Sequence, residues 1–203
     1  MQETSKYTVF NIREYLGDGS HGLGEDTLLQ VLSEFSCEIN PDVEKFIKKQ
    51  SVEFAKKQQS VTYLVFSTED AELVGYFAIT IKPITVNAKP FSNTVKRKLS
   101  RVSTLNEQDQ TYNLAAYLIA QLGKNYSARA KGRITGKELL EAAIRQLQVL
   151  QYQAGGMVAF VEAENNTKLL SFYESYGFKQ FDTRQTVSKE SEPHELIQLL
   201  RLF

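Results

Sequence analysis

The chain has 203 residues, of which 42% are hydrophobic and 24% charged, and this composition predicts a globular protein with a single domain over residues 1–203. No apolar run is long enough to cross a bilayer, and the first residues lack the basic and apolar pattern of a secretion signal. The lone Cys37 excludes an intramolecular disulfide, so we expect a cytoplasmic protein without a membrane partner.

The formal net charge is zero, but the charges are unevenly distributed along the chain. Residues 93–137 carry nine basic and two acidic side chains, whereas the segments before and after them have net charges of −4 and −3. Apolar residues interrupt the basic ones, so we expect a positive patch on a folded surface and not a disordered basic tail. Such a patch raises the local concentration of anions.

The N-terminal part is predicted to contain a strand followed by two helices. Alternating β-branched and aromatic residues predict the strand from Tyr7 to Leu16, and a glycine-rich connector follows from Gly17 to Gly24. Apolar residues at helical spacing predict a helix from Glu25 to Phe35. Asn40 is a suitable N-cap for the second helix, which has Phe54 on its apolar side and Lys56 and Lys57 on its remaining surface.

The next part is predicted to contain a hairpin and a short basic helix. Val61 to Ser67 and Leu73 to Ile84 have the composition of two antiparallel strands. Ser92 or Asn93 is a suitable cap for the basic helix, which carries Lys96, Arg97, Lys98 and Arg101.

The second half of the chain predicts two strand–helix pairs and two closing strands. The predicted elements are a strand at Asn113–Gln121 with Leu122 to Lys124 at its end, a helix from Lys137 to about Gln153, a strand at Met157–Glu162, a short helix ending at Gly177, and strands at Phe178–Val187 and Glu195–Phe203, which the loop Ser188–Pro193 joins. Gly123 is expected to mark a bulge or a close backbone approach. The two histidines, His21 and His194, lie far from Cys37, so no metal site is predicted.

Residues Ala128–Gly136, here termed the basic loop, lead directly into an apolar helix. A helix N-terminus offers unpaired backbone N–H groups and a partial positive charge, and glycine lets a ligand approach closely. Arg129, Lys131, Arg133 and Lys137 add full positive charges. The loop is therefore predicted to bind a phosphate-bearing ligand. The alternative is an exposed loop with solvated charges.

The segment that starts at Asn166 reads Asn-Thr-Lys-Leu-Leu-Ser-Phe-Tyr-Glu-Ser-Tyr-Gly-Phe. It resembles the Asn-x-x-Ala-x-x-Leu-Tyr-x-x-x-Gly-Phe motif of the GNAT N-acetyltransferase superfamily, with Leu169 in place of alanine and Phe172 in place of leucine. The order of the N-terminal elements is most similar to one branch of that family, the bacterial toxins that acetylate the amino group of aminoacyl-tRNA.

The family's phosphate loop, Gln/Arg-x-x-Gly-x-Gly/Ala, corresponds to Lys131–Gly136 here. Ile134 replaces the first glycine of that pattern, and Gly132 is expected to supply the missing backbone freedom two residues earlier.

The resemblance implies a mixed α/β (α+β) GNAT fold, in which helices flank a mostly antiparallel twisted sheet and a splayed strand pair holds acetyl-CoA. It implies that Tyr173 is catalytic and protonates the departing sulfur, and that Asn166 lies on the same helix face and bonds the pantetheine chain. The implied cofactor-binding residues are Leu122, Lys124, Arg129, Lys131, Gly132, Arg133, Ile134, Thr135, Gly136, Lys137 and Asn166. The alternative for Tyr173 is a core aromatic residue.

Three functions stay open from the sequence. The first is an acetyl-CoA-dependent N-acetyltransferase of the toxin type, acting on aminoacyl-tRNA and controlled by a cognate antitoxin. The second is an acetyltransferase that modifies a small amine or a protein N-terminus. The third is a non-catalytic module that binds coenzyme A. The expected partners are acetyl-CoA and an amine acceptor, with tRNA, an antitoxin and a second copy of the chain as candidates.

Overall fold

The chain folds as a mixed α/β protein built on a seven-stranded sheet, in a computed structural model that describes residues 5–16, 24–186 and 193–203. The strands are β1 (Tyr7–Asn11), β2 (Val61–Ser67), β3 (Leu73–Asn87), β4 (Thr111–Lys124), β5 (Val158–Glu164), β6 (Lys179–Gln185) and β7 (Glu195–Leu202). The helices are α1 (Ile12–Tyr15), α2 (Glu25–Ser33), α3 (Pro41–Lys49), α4 (Ser51–Lys56), α5 (Asn93–Leu99), α6 (Gly136–Ala154) and α7 (Thr167–Ser175).

The strand order is β1-β2-β3-β4-β5-β7-β6. The pairs β1/β2, β2/β3, β5/β7 and β6/β7 are antiparallel, whereas β4 and β5 are parallel. The parallel register joins Tyr117–Ile119 to Ala159–Val161 and ends there, although β4 continues to Lys124 and β5 to Glu164. The predicted mixed, mostly antiparallel sheet with a splayed strand pair is confirmed.

The chain divides into two compact units, Met1–Thr80 with Ala120–Gln146 and Ile81–Ile119 with Leu147–Phe203. Strands β3 and β4 and helix α6 each run from one unit into the other. The expectation of a single domain stays a prediction.

In the first unit, helices α2 and α3 pack on the sheet around Tyr76. Its ring is fully buried, lies edge-on to Phe35 and stacks on Phe46, and its hydroxyl donates a 2.7 Å hydrogen bond to the Val43 carbonyl. Asn40 caps α3 as predicted, because its side-chain oxygen accepts hydrogen bonds from the next turn.

In the second unit, α5 is anchored by Leu99, which is fully buried beside Val86, Leu118 and Phe160. The predicted cap of this helix is Ser92, whose hydroxyl accepts a hydrogen bond from the third residue of the helix. Because Leu99 faces the core, the basic residues Arg97 and Lys98 of α5 are exposed to solvent.

Two predicted elements are wrong in extent. The first strand ends at Asn11 and not at Leu16, because the Asn11 side chain accepts a hydrogen bond from the Arg13 amide and starts α1. The second predicted helix is divided at Gln50, where the backbone leaves helical geometry between α3 and α4. The predicted connector at residues 17–24 and loop at residues 188–193, with His21, lie almost wholly outside the described residues.

Within the described ranges, no helix is both long and apolar enough to cross a membrane. The same ranges contain no group of three potential metal-ligating side chains.

Gly123 of β4 lies where two other chain segments approach the backbone closely. A Cβ atom added there would overlap Val43 Cγ1 and would stand 2.7 Å from the buried ring of Tyr76. The sequence predicted such a close approach at this glycine, and the structure confirms it.

We therefore expect Gly123→Ala to lower the free energy of unfolding by about 1–3 kcal/mol, because the added methyl group would overlap two buried side chains. Denaturant unfolding of this variant measures the loss. The double variant Gly123→Ala/Val43→Ala should lose less unfolding free energy than the sum of the losses in the two single variants. The reason is that removing the valine methyl groups relieves one of the two overlaps. Strict additivity would contradict the proposed overlap.

Candidate active site

The basic loop is a series of tight turns whose backbone is bonded to itself. The amides of Ala130 and Lys131 both donate to the Ser127 carbonyl, at 3.0 and 2.9 Å. Gly132 has φ +79°, a conformation that favours glycine, so it supplies the backbone freedom expected of it. Ile134, at the place of the family's first glycine, is 2% exposed and ties the loop to the core.

The loop ends in a capping box at the start of α6. Thr135 Oγ1 accepts a hydrogen bond from the Glu138 amide at 3.1 Å, and Glu138 Oε2 accepts one from the Thr135 amide at 2.8 Å. The hydrogen bonds that the carboxylate accepts, first from the Thr135 amide and then from the Thr135 hydroxyl, lower the pKa of Glu138 to about 2. The amides of Gly136 and Lys137, in the first helical turn, have no helix carbonyl to bond and remain available for an anion.

The two arginines of the loop are committed to carboxylates of the turn between β2 and β3. Arg133 donates hydrogen bonds of 2.6 and 2.9 Å to the two carboxylate oxygens of Asp70 and a third of 3.0 Å to Ser67 Oγ. Arg129 forms a 3.0 Å ion pair with Glu72, whose side chain is only 7% exposed.

The two lysines in and next to the basic loop differ from the arginines in their charge pairing. Lys131 and Lys137 are exposed, and neither forms an ion pair with any residue that the structure describes. Of the four predicted phosphate-binding cations, these two are therefore the ones whose charge is not already matched by a carboxylate.

A residue that the sequence analysis missed fixes the start of the loop. Asn125 is 2% exposed, and its side-chain oxygen accepts hydrogen bonds from the amides of Ser36 and Ser127, at 3.0 and 2.9 Å. Its amide group donates to the Leu73 carbonyl at 2.8 Å. No pattern in the sequence distinguishes this asparagine from a loop residue, because two of its partners, Ser36 and Leu73, lie far away along the chain.

Glycine also lets α6 approach the sheet. A Cβ at Gly75 of β3 would stand 3.0 Å from the Gly123 carbonyl oxygen and 3.3 Å from a methyl group of Leu139. The absence of a side chain there lets the first turn of α6, which directly follows the basic loop, pack closely on β3.

The two remaining predicted cofactor-binding residues lie at the end of β4. Leu122 and Lys124 are half-buried residues of the strand itself, not of a following loop. The Lys124 ammonium lies 5.1 Å from the centre of the Tyr126 ring, in a cation–π contact.

In the second unit, both ends of α7 are closed by the residues that carry the family motif. Asn166 is the N-cap, and its side-chain oxygen accepts hydrogen bonds from the amides of Lys168 and Leu169, at 3.0 and 3.2 Å. It therefore lies before the helix and not within it, so it does not share a helical face with Tyr173 as we expected.

The C-terminal end of α7 is a Schellman motif. Gly177 has φ +81°, its amide donates to the Glu174 carbonyl at 2.9 Å, and the Phe178 amide donates to the Tyr173 carbonyl at 3.3 Å. The rings of Phe178 and Tyr173 meet edge-on at 5.8 Å, the apolar contact that accompanies this motif. The spacing Tyr-x-x-x-Gly-Phe therefore places the glycine at the C-terminal cap and the phenylalanine ring against the tyrosine ring.

Tyr173 is a core aromatic residue and also a candidate catalyst. Its side chain is 8% exposed between Phe172 and Phe178, and burial raises the pKa of its phenol to about 12. No group among the described residues hydrogen-bonds its hydroxyl. A buried phenol in this state is protonated at neutral pH and has a hydrogen bond to donate.

The two glutamates at the end of β5 are bonded to neighbouring strands. Glu162 accepts hydrogen bonds from Arg184 at 2.8 Å and Gln198 at 2.7 Å, and Glu164 lies 2.9 Å from the His194 ring. Neither carboxylate is therefore a free base in this arrangement.

Solved structures of toxins have the same fold as this chain. The AtaT toxin complexed with acetyl-methionyl-tRNAfMet has a TM-score of 0.59 and 17% identity, over 94% of this chain and 93% of that one. A tyrosine-to-phenylalanine mutant of KacT has a TM-score of 0.63 and 20% identity, over 98% and 95%. AtaTR bound with acetyl-CoA has a TM-score of 0.53 and 16% identity, over 98% and 94%.

The predicted GNAT fold is thus confirmed by full-length structural likeness. Neither a protein-family model nor a curated protein sequence matches the chain.

Because Asn166 is an N-cap, we expect Asn166→Ala to lower the free energy of unfolding by about 1 kcal/mol. The control Asn166→Ser keeps a capping oxygen and should stay close to the wild type in stability. Denaturant unfolding of the two variants provides the comparison, and equal losses in both would show that the cap is not what the side chain contributes.

Proposed function

We propose that this protein is an acetyl-CoA-dependent N-acetyltransferase that acts as a toxin by acetylating the amino group of aminoacyl-tRNA. The observation that carries the proposal is the state of Tyr173. Its phenol is protonated, lies on a helix that is capped at both ends, and has no hydrogen-bond partner among the described residues. The full-length likeness to AtaT, solved with acetyl-methionyl-tRNAfMet, supports the choice of reaction and acceptor.

In this proposal, the basic loop binds the diphosphate of acetyl-CoA. The amides of Gly136 and Lys137 donate hydrogen bonds to phosphate oxygens at the positive end of α6. Lys131 and Lys137 add the charge that is not matched by carboxylates of the described residues. The likeness to AtaTR bound with acetyl-CoA supports this assignment of the cofactor.

The chemistry requires no covalent enzyme intermediate. The lone pair of the acceptor amine attacks the thioester carbonyl carbon, the carbon–sulfur bond breaks, and the coenzyme A thiolate leaves. The amine proton goes to solvent, and the phenol of Tyr173 donates a hydrogen bond to the departing sulfur. Since a phenol with a pKa near 12 is a weaker acid than a thiol with a pKa of about 8.5, its main role is to stabilise the thiolate, which acquires its proton on release.

The basic residues of α5 support a nucleic-acid acceptor. Arg97, Lys98 and Arg101 are exposed, and none of them forms an ion pair with a residue in the described parts of the chain. Binding to a phosphate backbone depends on cations of this kind. By the same likeness, AtaT bound to the C-terminus of the antitoxin AtaR suggests that a cognate antitoxin controls the activity. A small-amine or protein N-terminal acceptor is the competing outcome of the assay below.

We expect Tyr173→Phe to lower kcat for acetylation of charged tRNA by about 100-fold while the dissociation constant for acetyl-CoA changes little, because only the donor to the leaving sulfur is lost. Radiolabelled acetyl transfer to aminoacyl-tRNA measures the first quantity, and calorimetry the second.

Expression of the wild-type chain should arrest growth, and expression of Tyr173→Phe should not. Transfer to free amines or peptides, but not to charged tRNA, would replace the acceptor. Binding of acetyl-CoA without transfer to any amine would leave only the non-catalytic module.

The raised pKa of Tyr173 also determines the pH dependence. The phenol is protonated at every pH below about 12, so it stays a donor throughout the working range. We expect the rate to increase as the acceptor amine loses its proton and to show no descending limb up to about pH 9. Initial rates at constant ionic strength test this, and a decline near neutral pH would mean that another titrating group controls the reaction.

A further inference from the structure

The arginines of the basic loop are held by an acidic turn, Glu69–Glu72, which connects β2 to β3. Both carboxylate oxygens of Asp70 accept hydrogen bonds from the Arg133 guanidinium, and the buried Glu72 forms an ion pair with Arg129. A bidentate arginine–carboxylate pair fixes direction as well as distance. The turn therefore restrains the loop at two points.

The backbone of Arg133 is restrained as well. Its carbonyl oxygen accepts a 2.8 Å hydrogen bond from the hydroxyl of Tyr7, at the start of β1. The neighbouring Lys6 forms a 3.1 Å ion pair with Glu138, the carboxylate of the capping box. The acidic turn thus fixes side chains of the loop, and the start of β1 fixes its main chain, although both segments are distant from the loop in sequence.

This arrangement leaves Arg133 with little capacity for an anion. Three of its hydrogen bonds go to Asp70 and Ser67, and only a quarter of its side chain is exposed. A phosphate would have to displace a carboxylate that already binds in the preferred geometry.

Resting on the proposed function, we propose that Asp70 is a positioning residue for acetyl-CoA. By holding Arg133, it sets the backbone of the basic loop so that the amides of Gly136 and Lys137 point at the diphosphate. The loop arginines are then structural residues, and the lysines are the cations that meet the phosphates.

The pair is maintained over the physiological pH range. The hydrogen bonds from Arg133 lower the pKa of Asp70 to about 2. Because this folded-state value lies below the unfolded value of about 3.9, the stabilisation is present above pH 4 and is lost only as the pH falls through about 2. The loop is therefore not a pH switch near neutrality.

The test compares Asp70→Asn with Glu69→Gln, using acetyl-CoA and S-acetylpantetheine as acetyl donors. Both variants remove one negative charge from the same turn. Glu69 is the weaker partner of Arg133, because it is 86% exposed and its carboxylate lies 3.6 Å from the guanidinium, compared with 2.6 Å for Asp70. Asparagine retains the oxygen that accepts the Glu72 amide, so the turn itself should persist. S-acetylpantetheine has the thioester and lacks the diphosphate.

We expect Asp70→Asn to raise KM for acetyl-CoA about fivefold with kcat unchanged, and Glu69→Gln to stay within about twofold of the wild type. With S-acetylpantetheine, kcat/KM should be the same in all three proteins, because nothing in that donor contacts the loop. Asp70→Glu, which restores the carboxylate, should recover part of the affinity.

Three outcomes would overturn the proposal. These are an unchanged KM in Asp70→Asn, an equal effect of both variants, or an equal loss with both donors. Calorimetric binding of acetyl-CoA to the wild-type protein distinguishes these results from failure of the proposed function. If the wild-type protein binds no acetyl-CoA, the function is wrong. If it binds but Asp70→Asn binds equally well, only the positioning role is wrong.

Discussion

The ion pair between Arg133 and Asp70 is the constraint on which the proposed phosphate site depends. The cations of a loop rich in lysine and arginine repel one another, so matching part of their charge with carboxylates favours an ordered loop. Here the two arginines are matched by the acidic turn, and the lysines are left exposed. The capping box at Thr135 and Glu138 then fixes the first turn of α6, so that two backbone amides are oriented before any ligand arrives.

Tyr173, in the other unit, is also held in one orientation before any ligand binds. Asn166 closes the start of α7 and Gly177 closes its end, while Phe178 packs against the tyrosine ring. These contacts leave the phenol few rotamers and exclude water from its faces. A hydrogen-bond donor that is already oriented stabilises a developing thiolate with little reorganisation during the reaction. A structural role and a catalytic role for this motif are therefore compatible, since the first produces the conditions for the second.

Local chemistry determined what was predictable from the sequence. Asn40 and Ser92 cap the helices that they were expected to cap, and the fold followed from the Asn166 motif together with the order of elements. The partners of the loop arginines were not predictable, because Arg133 and its carboxylate Asp70 are 63 residues apart and each also fits an exposed turn. A sequence pattern records which charges are present, whereas their pairing depends on the tertiary structure.

Charge pairing also bears on the choice of acceptor. A chain with zero net charge has no general attraction for nucleic acid, so affinity for tRNA has to come from cations without carboxylate partners. The run of basic residues at positions 93–137 appears uniform in the sequence, but the fold divides it. Arg129 and Arg133 are neutralised in the basic loop, whereas Arg97 and Arg101 have no ion-pair partner among the described residues. Since only cations free of carboxylates release counterions on binding phosphates, α5 and its flank are the part of this run suited to an RNA backbone, and the loop is suited to a single small anion.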